Sequence, residues 1–191
     1  MRPKSKVLII AGSDSSGGAG IQADIKTVTA LGAYATTAVT AITAQNTKGV
    51  KEITSVPVRN IQKQITMILD DIGTNAVKIG MLHNPSIIRC VYKILKKYNL
   101  KNIVLDPVMI AKGGAKLISN NSIKHLKKLL LPLCTLVTPN IPEAEALTGY
   151  SIKSKEDMIK AAKKILNMGS KNVLLKGGHL KNKMIFDILV T

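Results

Sequence analysis

The stretch Val7-Leu-Ile-Ile-Ala11-Gly12-Ser-Asp-Ser-Ser-Gly-Gly-Ala-Gly20-Ile21-Gln-Ala-Asp24-Ile25-Lys-Thr-Val28-Thr-Ala-Leu31-Gly32 decides the architecture. Val7 to Ala11 is a short, continuous apolar run ended by glycine, the pattern of a strand buried on both faces. A glycine- and serine-rich loop follows it. From Ala19 the apolar residues Ile21, Ile25, Val28 and Leu31 recur at three- and four-residue steps, and Gly32 supplies a C-terminal stop, so a helix begins where the loop ends. A strand feeding a loop and then a helix is the opening half of a strand-helix-strand unit.

The alternation continues along the chain. Thr36 to Ala44 and Val50 to Val56 read as extended segments, Val58–Ile72 as a helix, Ala76 to Ile79 as a strand and Pro85–Tyr98 as a helix. Beyond them follow a strand at Ile103–Leu105, a helix near Asn120–Leu131, a strand at Leu136–Thr138, helices at Pro142–Leu147 and Ser154–Met168, a strand at Asn172–Leu175 and a last extended segment at Met184–Val190. Repeated units of this size predict an α/β fold in three layers, with helices covering a mainly parallel sheet. No repeat or low-complexity linker interrupts residues 1–191, which read as a single domain. In such sheets ligands bind beyond the carboxyl ends of the strands.

Composition excludes several classes. With 46% hydrophobic residues, 14 glycines and 7 prolines in 191 residues, neither disorder nor a disulfide-stapled mini-fold is indicated. Cys90 and Cys134 have neither metal-ligand spacing nor a disulfide framework, which favours a reduced, cytoplasmic setting. The start Met1-Arg-Pro-Lys-Ser-Lys6 is basic, but the apolar run behind it is too short for a signal peptide, and no segment approaches membrane-spanning length. The formal charge of +17 raises a basic nucleic-acid-binding domain as an alternative. Only 3% of residues are aromatic, leaving few platforms for base stacking, and the lysines cluster on helix-like surfaces as a solvated face does. Nucleic acid is therefore not the expected partner, although the same field attracts an anionic nucleotide or a phosphorylated metabolite.

The loop Gly12 to Gly20 lacks the Gly-Lys-Ser/Thr of a Walker phosphate loop. Gly18, Gly20 and Ala23 keep a dinucleotide spacing, yet Thr40 to Gln45 contains no carboxylate for a ribose, so a dehydrogenase is set aside. Asp24 near the start of the first helix and Gln45 at the end of the second strand offer acceptors and donors that match the edge of an aminopyrimidine. The alternative stays open that Asp24 serves the helix macrodipole and Gln45 a turn.

Six blocks then point to one family. Ala11-Gly-Ser-Asp-Ser-Ser-Gly-Gly-Ala-Gly-Ile-Gln-Ala-Asp24-Ile-Lys-Thr27, Ala41-Ile-Thr-Ala-Gln45-Asn46, Lys78-Ile-Gly-Met81-Leu82, Asp106-Pro-Val-Met109, Val137-Thr-Pro-Asn140-Ile-Pro-Glu143-Ala-Glu145 and Leu175-Lys176-Gly-Gly-His179 occur in order. The chain resembles the hydroxymethylpyrimidine and phosphomethylpyrimidine kinases of thiamine biosynthesis, within the ribokinase-like superfamily. The resemblance implies a ribokinase-like α/β/α fold and transfer of the terminal phosphoryl group of ATP to a pyrimidine alcohol and then to its monophosphate. It implies that Asp24 and Gln45 hold the polar edge of the ring while Gly12, Met81 and Val108 line its pocket. Asp106, Thr138, Asn140 and Lys176 fall at the nucleotide and phosphate motif, with Asn140 and Glu143 toward Mg²⁺. On spacing alone Met81 and Val108 are equally core residues, and Asp106 and Asn140 equally turn and capping residues. His179, His83 and His125 are weak candidates for a catalytic base.

The resembling kinases also carry a Gly-Thr-Gly-Cys motif whose amides form an anion hole, and none is present here, so no catalytic residue is assigned. One missing donor of that kind typically costs about 10²- to 10³-fold in rate. The expectation is a kinase domain lacking its C-terminal part, poorly active by itself; an inactive pyrimidine-binding remnant and a pyridoxal kinase-like enzyme are the alternatives. The expected partners are the pyrimidine and ATP, with a homodimer allowed and no membrane.

Overall fold

The computed structural model describes residues 3–109, 118–179 and 184–191; residues 1 and 2 of the basic start lie outside them. Its strands are β1 (Lys6–Asp14), β2 (Tyr34–Asn46), β3 (Gly49–Ser55), β4 (Ala76–Ile79), β5 (Ile103–Leu105), β6 (Leu136–Val137), β7 (Val173–Leu175) and β8 (Ile188–Val190). Its α-helices are α1 (Gly20–Ala30), α2 (Val58–Asp71), α3 (Pro85–Lys97), α4 (Asn120–His125), α5 (Ile141–Thr148) and α6 (Lys155–Leu166). All strands join one eight-stranded sheet in the order β3-β2-β1-β4-β5-β6-β7-β8. From β2 through β7 the pairings are parallel; the two edge strands, β3 and β8, run antiparallel to their neighbours.

The alternation of side chains along β1 accounts for the layers. Ile9 and Ala11 pack with Ile21, Ile25 and Val28 of α1, whereas Leu8 and Ile10 belong to the main core with Ile61 and Ile65 of α2 and Ile87, Ile88 and Val91 of α3. The central strand is thus buried on both faces, as its unbroken apolar run predicts. Each fully buried Ile or Leu contributes about 1.5–3 kcal/mol of transfer free energy. Helix starts follow local chemistry: Asn84 caps α3 by accepting from Ser86 and Ile87 with Pro85 at the first helical position, and Ser154 and Asp157 form a capping box on α6.

Three expectations need correction. The helix expected over Asn120–Leu131 is an α-helix only to His125, then a π-helical turn at Leu126–Leu130 and a 3₁₀ turn at Leu131–Leu133. Pro132 has no N–H to continue the ladder and its ring crowds the carbonyl four residues back, so the helix loosens and closes there. Leu31 lies beyond the end of α1 and is 70% exposed rather than part of its buried stripe. The last segment is extended in the sheet only at Ile188–Val190, not from Met184.

Candidate active site

The carboxyl ends of the six parallel strands open into one cleft of about 400 Å³, within the usual range of small-molecule sites. Ala11 to Asp14 reach it from β1, Thr43 and Gln45 from β2, Lys78, Gly80 and Met81 from β4, Asp106 and Val108 from β5, Asn140 and Glu143 from the β6–α5 junction, and Lys176 from β7. Asp24 enters from α1. Nine of the ten expected site residues therefore share one cavity: Gly12, Asp24, Gln45, Met81, Val108, Asp106, Asn140, Glu143 and Lys176. Thr138 stands behind it, donating its hydroxyl to Asp106 Oδ1 at 3.3 Å and its backbone N–H to the Leu105 carbonyl. His179 is exposed, and the His125 ring bonds the Asn121 carbonyl and Arg89.

The glycine-rich loop is shaped by a residue the sequence reading left unassigned. Asp14, 3% exposed, accepts hydrogen bonds from the Ser16 N–H at 2.8 Å, the Ser16 hydroxyl at 2.7 Å, the Gly18 N–H at 3.1 Å and the Ala19 N–H at 2.8 Å. Burial pushes its pKa up, but these hydrogen bonds outweigh burial and hold the carboxyl below its ordinary range. The amides ahead of α1 are thus bound by the chain's own carboxylate, which explains physically why this loop is not a Walker-type phosphate cradle. Gly20 sits at φ +57, and a Cβ there would lie 2.4 Å from the Gly12 carbonyl oxygen, so the turn requires glycine. The Ser15 hydroxyl donates to the Gln45 carbonyl at 2.7 Å and accepts from the Gln45 N–H at 2.9 Å, tying the loop to the end of β2. The signal for Asp14 was present as an Asp followed by Ser-Ser-Gly, an Asx-type turn.

Two ion pairs line the cleft. In one, Lys78 Nζ lies 2.7 Å from Asp24 Oδ2. Asp24 falls beyond the first turn of α1, so the macrodipole alternative does not describe it. In the other, Lys176 Nζ lies 2.9 Å from Asp106 Oδ1, and the Lys176 N–H bonds the Pro139 carbonyl. Asn140 and Glu143 form a capping box: the Asn140 N–H donates to Glu143 Oε2 at 2.8 Å, and the Glu143 N–H donates to Asn140 Oδ1 at 2.9 Å. Glu143 is 3% exposed. Burial, with a smaller push from the neighbouring Asp106 carboxylate, raises its pKa to about 7 against the pull of hydrogen bonds from Asn140 and Met109 and the charge of Lys176.

Among the described residues no group of three or more His, Cys, Asp and Glu gathers as a metal cage. The pair Asp106 and Glu143 fits a different kind of cation site. Two carboxylates lining one cleft with the Lys176 ammonium suit an ion that keeps waters and takes most other ligands from phosphates, as Mg²⁺ does.

Comparison with known proteins agrees with this fold. The family model for phosphomethylpyrimidine kinase matches residues 14–191. The thiamine biosynthesis bifunctional protein of Geobacter sulfurreducens is 50% identical over 98% of this chain, and the hydroxymethylpyrimidine/phosphomethylpyrimidine kinase of Haemophilus influenzae is 51% identical over 93% of it. The aligned region spans 38% and 66% of those two proteins, under two thirds of each. Among solved structures, the phosphomethylpyrimidine kinase of Clostridium difficile superimposes with a TM-score of 0.90 at 51% identity, covering 98% of this chain and 80% of that one. The pyridoxal kinase of Staphylococcus aureus, in complex with AMP-PCP and pyridoxal, gives 0.89 at 37% identity, covering 100% of this chain and 68% of that one. With its mostly parallel sheet and these relatives, the chain belongs to the phosphomethylpyrimidine kinase family.

Proposed function

We propose that the cleft holds 4-amino-5-hydroxymethyl-2-methylpyrimidine, or its monophosphate, beside the phosphates of ATP for phosphoryl transfer to the hydroxymethyl or phosphate oxygen. The observation that carries this reading is that one cavity is lined by two chemical sets from different parts of the sheet: Asp24 and Gln45 from α1 and β2, and Asp106, Asn140, Glu143 and Lys176 from the ends of β5 to β7. A carboxylate and an amide match the donors and acceptors of an aminopyrimidine, while Gly12, Met81 and Val108 offer apolar surface to the ring. Gly12 matters sterically, since a Cβ there would lie 2.6 Å from Met81 Cε.

Phosphoryl transfer needs positioning and charge neutralisation more than covalent work by the protein. In this reading Lys176 leaves Asp106 to meet a phosphate oxygen, and Thr138 continues to orient Asp106. Glu143, with Asp106, is the residue to hold Mg²⁺, which would neutralise phosphate charge when bound. The Asn140 backbone N–H and side-chain Oδ1 are engaged in the capping box, so one contribution of Asn140 is to keep Glu143 in place.

The test is phosphorylation by the purified chain with Mg²⁺ and ATP, with products identified by mass spectrometry and the aminopyrimidine alcohol compared with pyridoxal. Preferential binding of the aminopyrimidine alcohol, or its phosphorylation at however slow a rate, lost in Asp24→Ala, supports the proposal. Preferential phosphorylation of pyridoxal would favour the second reading, motivated by the likeness to the pyridoxal kinase of S. aureus. Salt-sensitive DNA binding with neither phosphorylation nor small-molecule binding would favour the nucleic-acid reading.

A further inference from the structure

Lys78 stands where physics disfavours a lysine. Its strand, β4, is central, with β1 on one side and β5 on the other, and Lys78 is in register with Ile9 and Val104. Such a strand is normally apolar throughout, and the flanking Val77 and Ile79 are 1% and 0% exposed. The lysine stem has room because Gly80, two residues on and facing the same way, has no side chain. A Cβ at Gly80 would lie 3.1 Å from Lys78 Nζ and 3.0 Å from the Ala11 Cβ. The ammonium ends 2.7 Å from Asp24 Oδ2, with the two side chains 24% and 20% exposed. Asp24 Oδ1 has no hydrogen-bond partner among the described residues.

Stability does not account for this arrangement. A partly desolvated ion pair rarely outperforms well-packed apolar side chains, and an ordinary β-branched residue at position 78 would serve the sheet at least as well. A direct phosphate contact is a poor match too, because the cation beside the proposed Mg²⁺ ligand Asp106 is Lys176.

We infer that Lys78 is a positioning residue for Asp24: it fixes one carboxylate oxygen so that the other is presented as an acceptor to the donor edge of the ring. The inference rests on the proposed pyrimidine site and deepens it. Asp24 sits on a helix with rotamer freedom of its own, and a fixed second contact removes the ordering cost at the moment of binding.

The test is a double-mutant cycle read by titration calorimetry with the aminopyrimidine alcohol and, separately, with ADP. Lys78→Met is expected to weaken pyrimidine binding about tenfold, the usual effect of losing a hydrogen bond to a charged group. In the Asp24→Asn background the same change is expected to weaken it less than about twofold, because coupled residues are non-additive. ADP affinity and melting temperature stay near wild type, and Lys78→Arg retains most of the pyrimidine affinity. Equal losses in both backgrounds, undiminished pyrimidine affinity in Lys78→Met, or a loss that falls on ADP would overturn the inference while leaving the pyrimidine site standing. If Lys78→Met does not fold, Lys78→Gln and Lys78→Arg carry the same comparison, and Arg without rescue over Gln counts against it. Absence of pyrimidine binding by the wild-type chain refutes the site itself, and the role of Lys78 with it, before any variant is measured.

Discussion

Glu143 makes stability depend on pH in a direction opposite to most carboxylates. Its folded pKa is about 7 against an ordinary 4.5, so between those values the folded state keeps a proton that the unfolded state has released. Stability therefore falls as pH rises through that window. At about 1.36 kcal/mol per unit, the 2.5-unit difference amounts to about 3 kcal/mol, fully lost above neutrality. The side chain is nearly inaccessible, so solvent screening removes little of it. Glu143→Gln keeps the shape and carries no titrating proton. The constant cost of the substitution cancels when each protein is compared with itself at pH 5 and pH 8. The wild type is expected to lose about 2.5 kcal/mol more than the variant between those pH values, since part of the total falls below pH 5. Urea unfolding followed by circular dichroism, in buffer free of divalent ions, reads this directly. With a slope of about 3 kcal/mol/M, the wild-type midpoint drops roughly 1 M further than that of the variant. Equal pH dependence of the two proteins would show that burial does not raise this carboxyl and would refute the reasoning.

Three further outcomes follow from the loop and the pocket wall. Gly20→Ala places a Cβ against the Gly12 carbonyl at positive φ, and is expected to cost about 2 kcal/mol or more, a fall of roughly 4–8 °C in a thermal melt. Gly12→Ala meets only the flexible end of Met81, so it should lower stability by less than about 1 kcal/mol while weakening pyrimidine binding in calorimetry. Asp14→Asn removes charge-assisted bonds to Ser16, Gly18 and Ala19. It should cost about 1.5–3 kcal/mol near neutrality and speed exchange of the Gly18 and Ala19 amides. Because the Asp14 pKa is lowered, the stability it contributes is present above the ordinary carboxyl pKa and lost as pH falls through the folded value, so wild type and variant converge in acid.

Much of the fold was readable because local and global signals agreed. Ala76–Ile79 is a strand with the expected bounds since an apolar stretch broken only by Lys78 meets Gly80, and Pro85 behind Asn84 announces α3. The direction of β8 was not readable, because pairing direction is set by how the chain returns to the sheet and not by side-chain alternation. For β3 the signal was the two-residue link Thr47-Lys48 between β2 and β3, short enough only for an antiparallel hairpin. The loosening of the helix after His125 depends on Pro132, whose effect reaches back over residues that look helical one by one.

At the site, the sequence placed Gln45, Asn140 and Lys176 near strand ends and Asp24 near the start of the first helix, and the structure brings them to one cleft. Lys78 carried no assigned role although it stood in a quoted motif. Its anomaly is visible only once β4 is known to be central, where a lysine is out of place. The tie from Asp14 to its own loop was hidden for another reason: a carboxylate that satisfies backbone amides looks, in sequence, like any polar loop residue.

The most direct test of the two-part cleft is crossed calorimetry on three proteins: wild type, Asp24→Ala and Lys176→Met. The account predicts that Asp24→Ala loses the aminopyrimidine alcohol and keeps ADP, while Lys176→Met keeps the pyrimidine and binds ADP at least about tenfold more weakly. Loss of both ligands in each folded variant, or of neither, would contradict it.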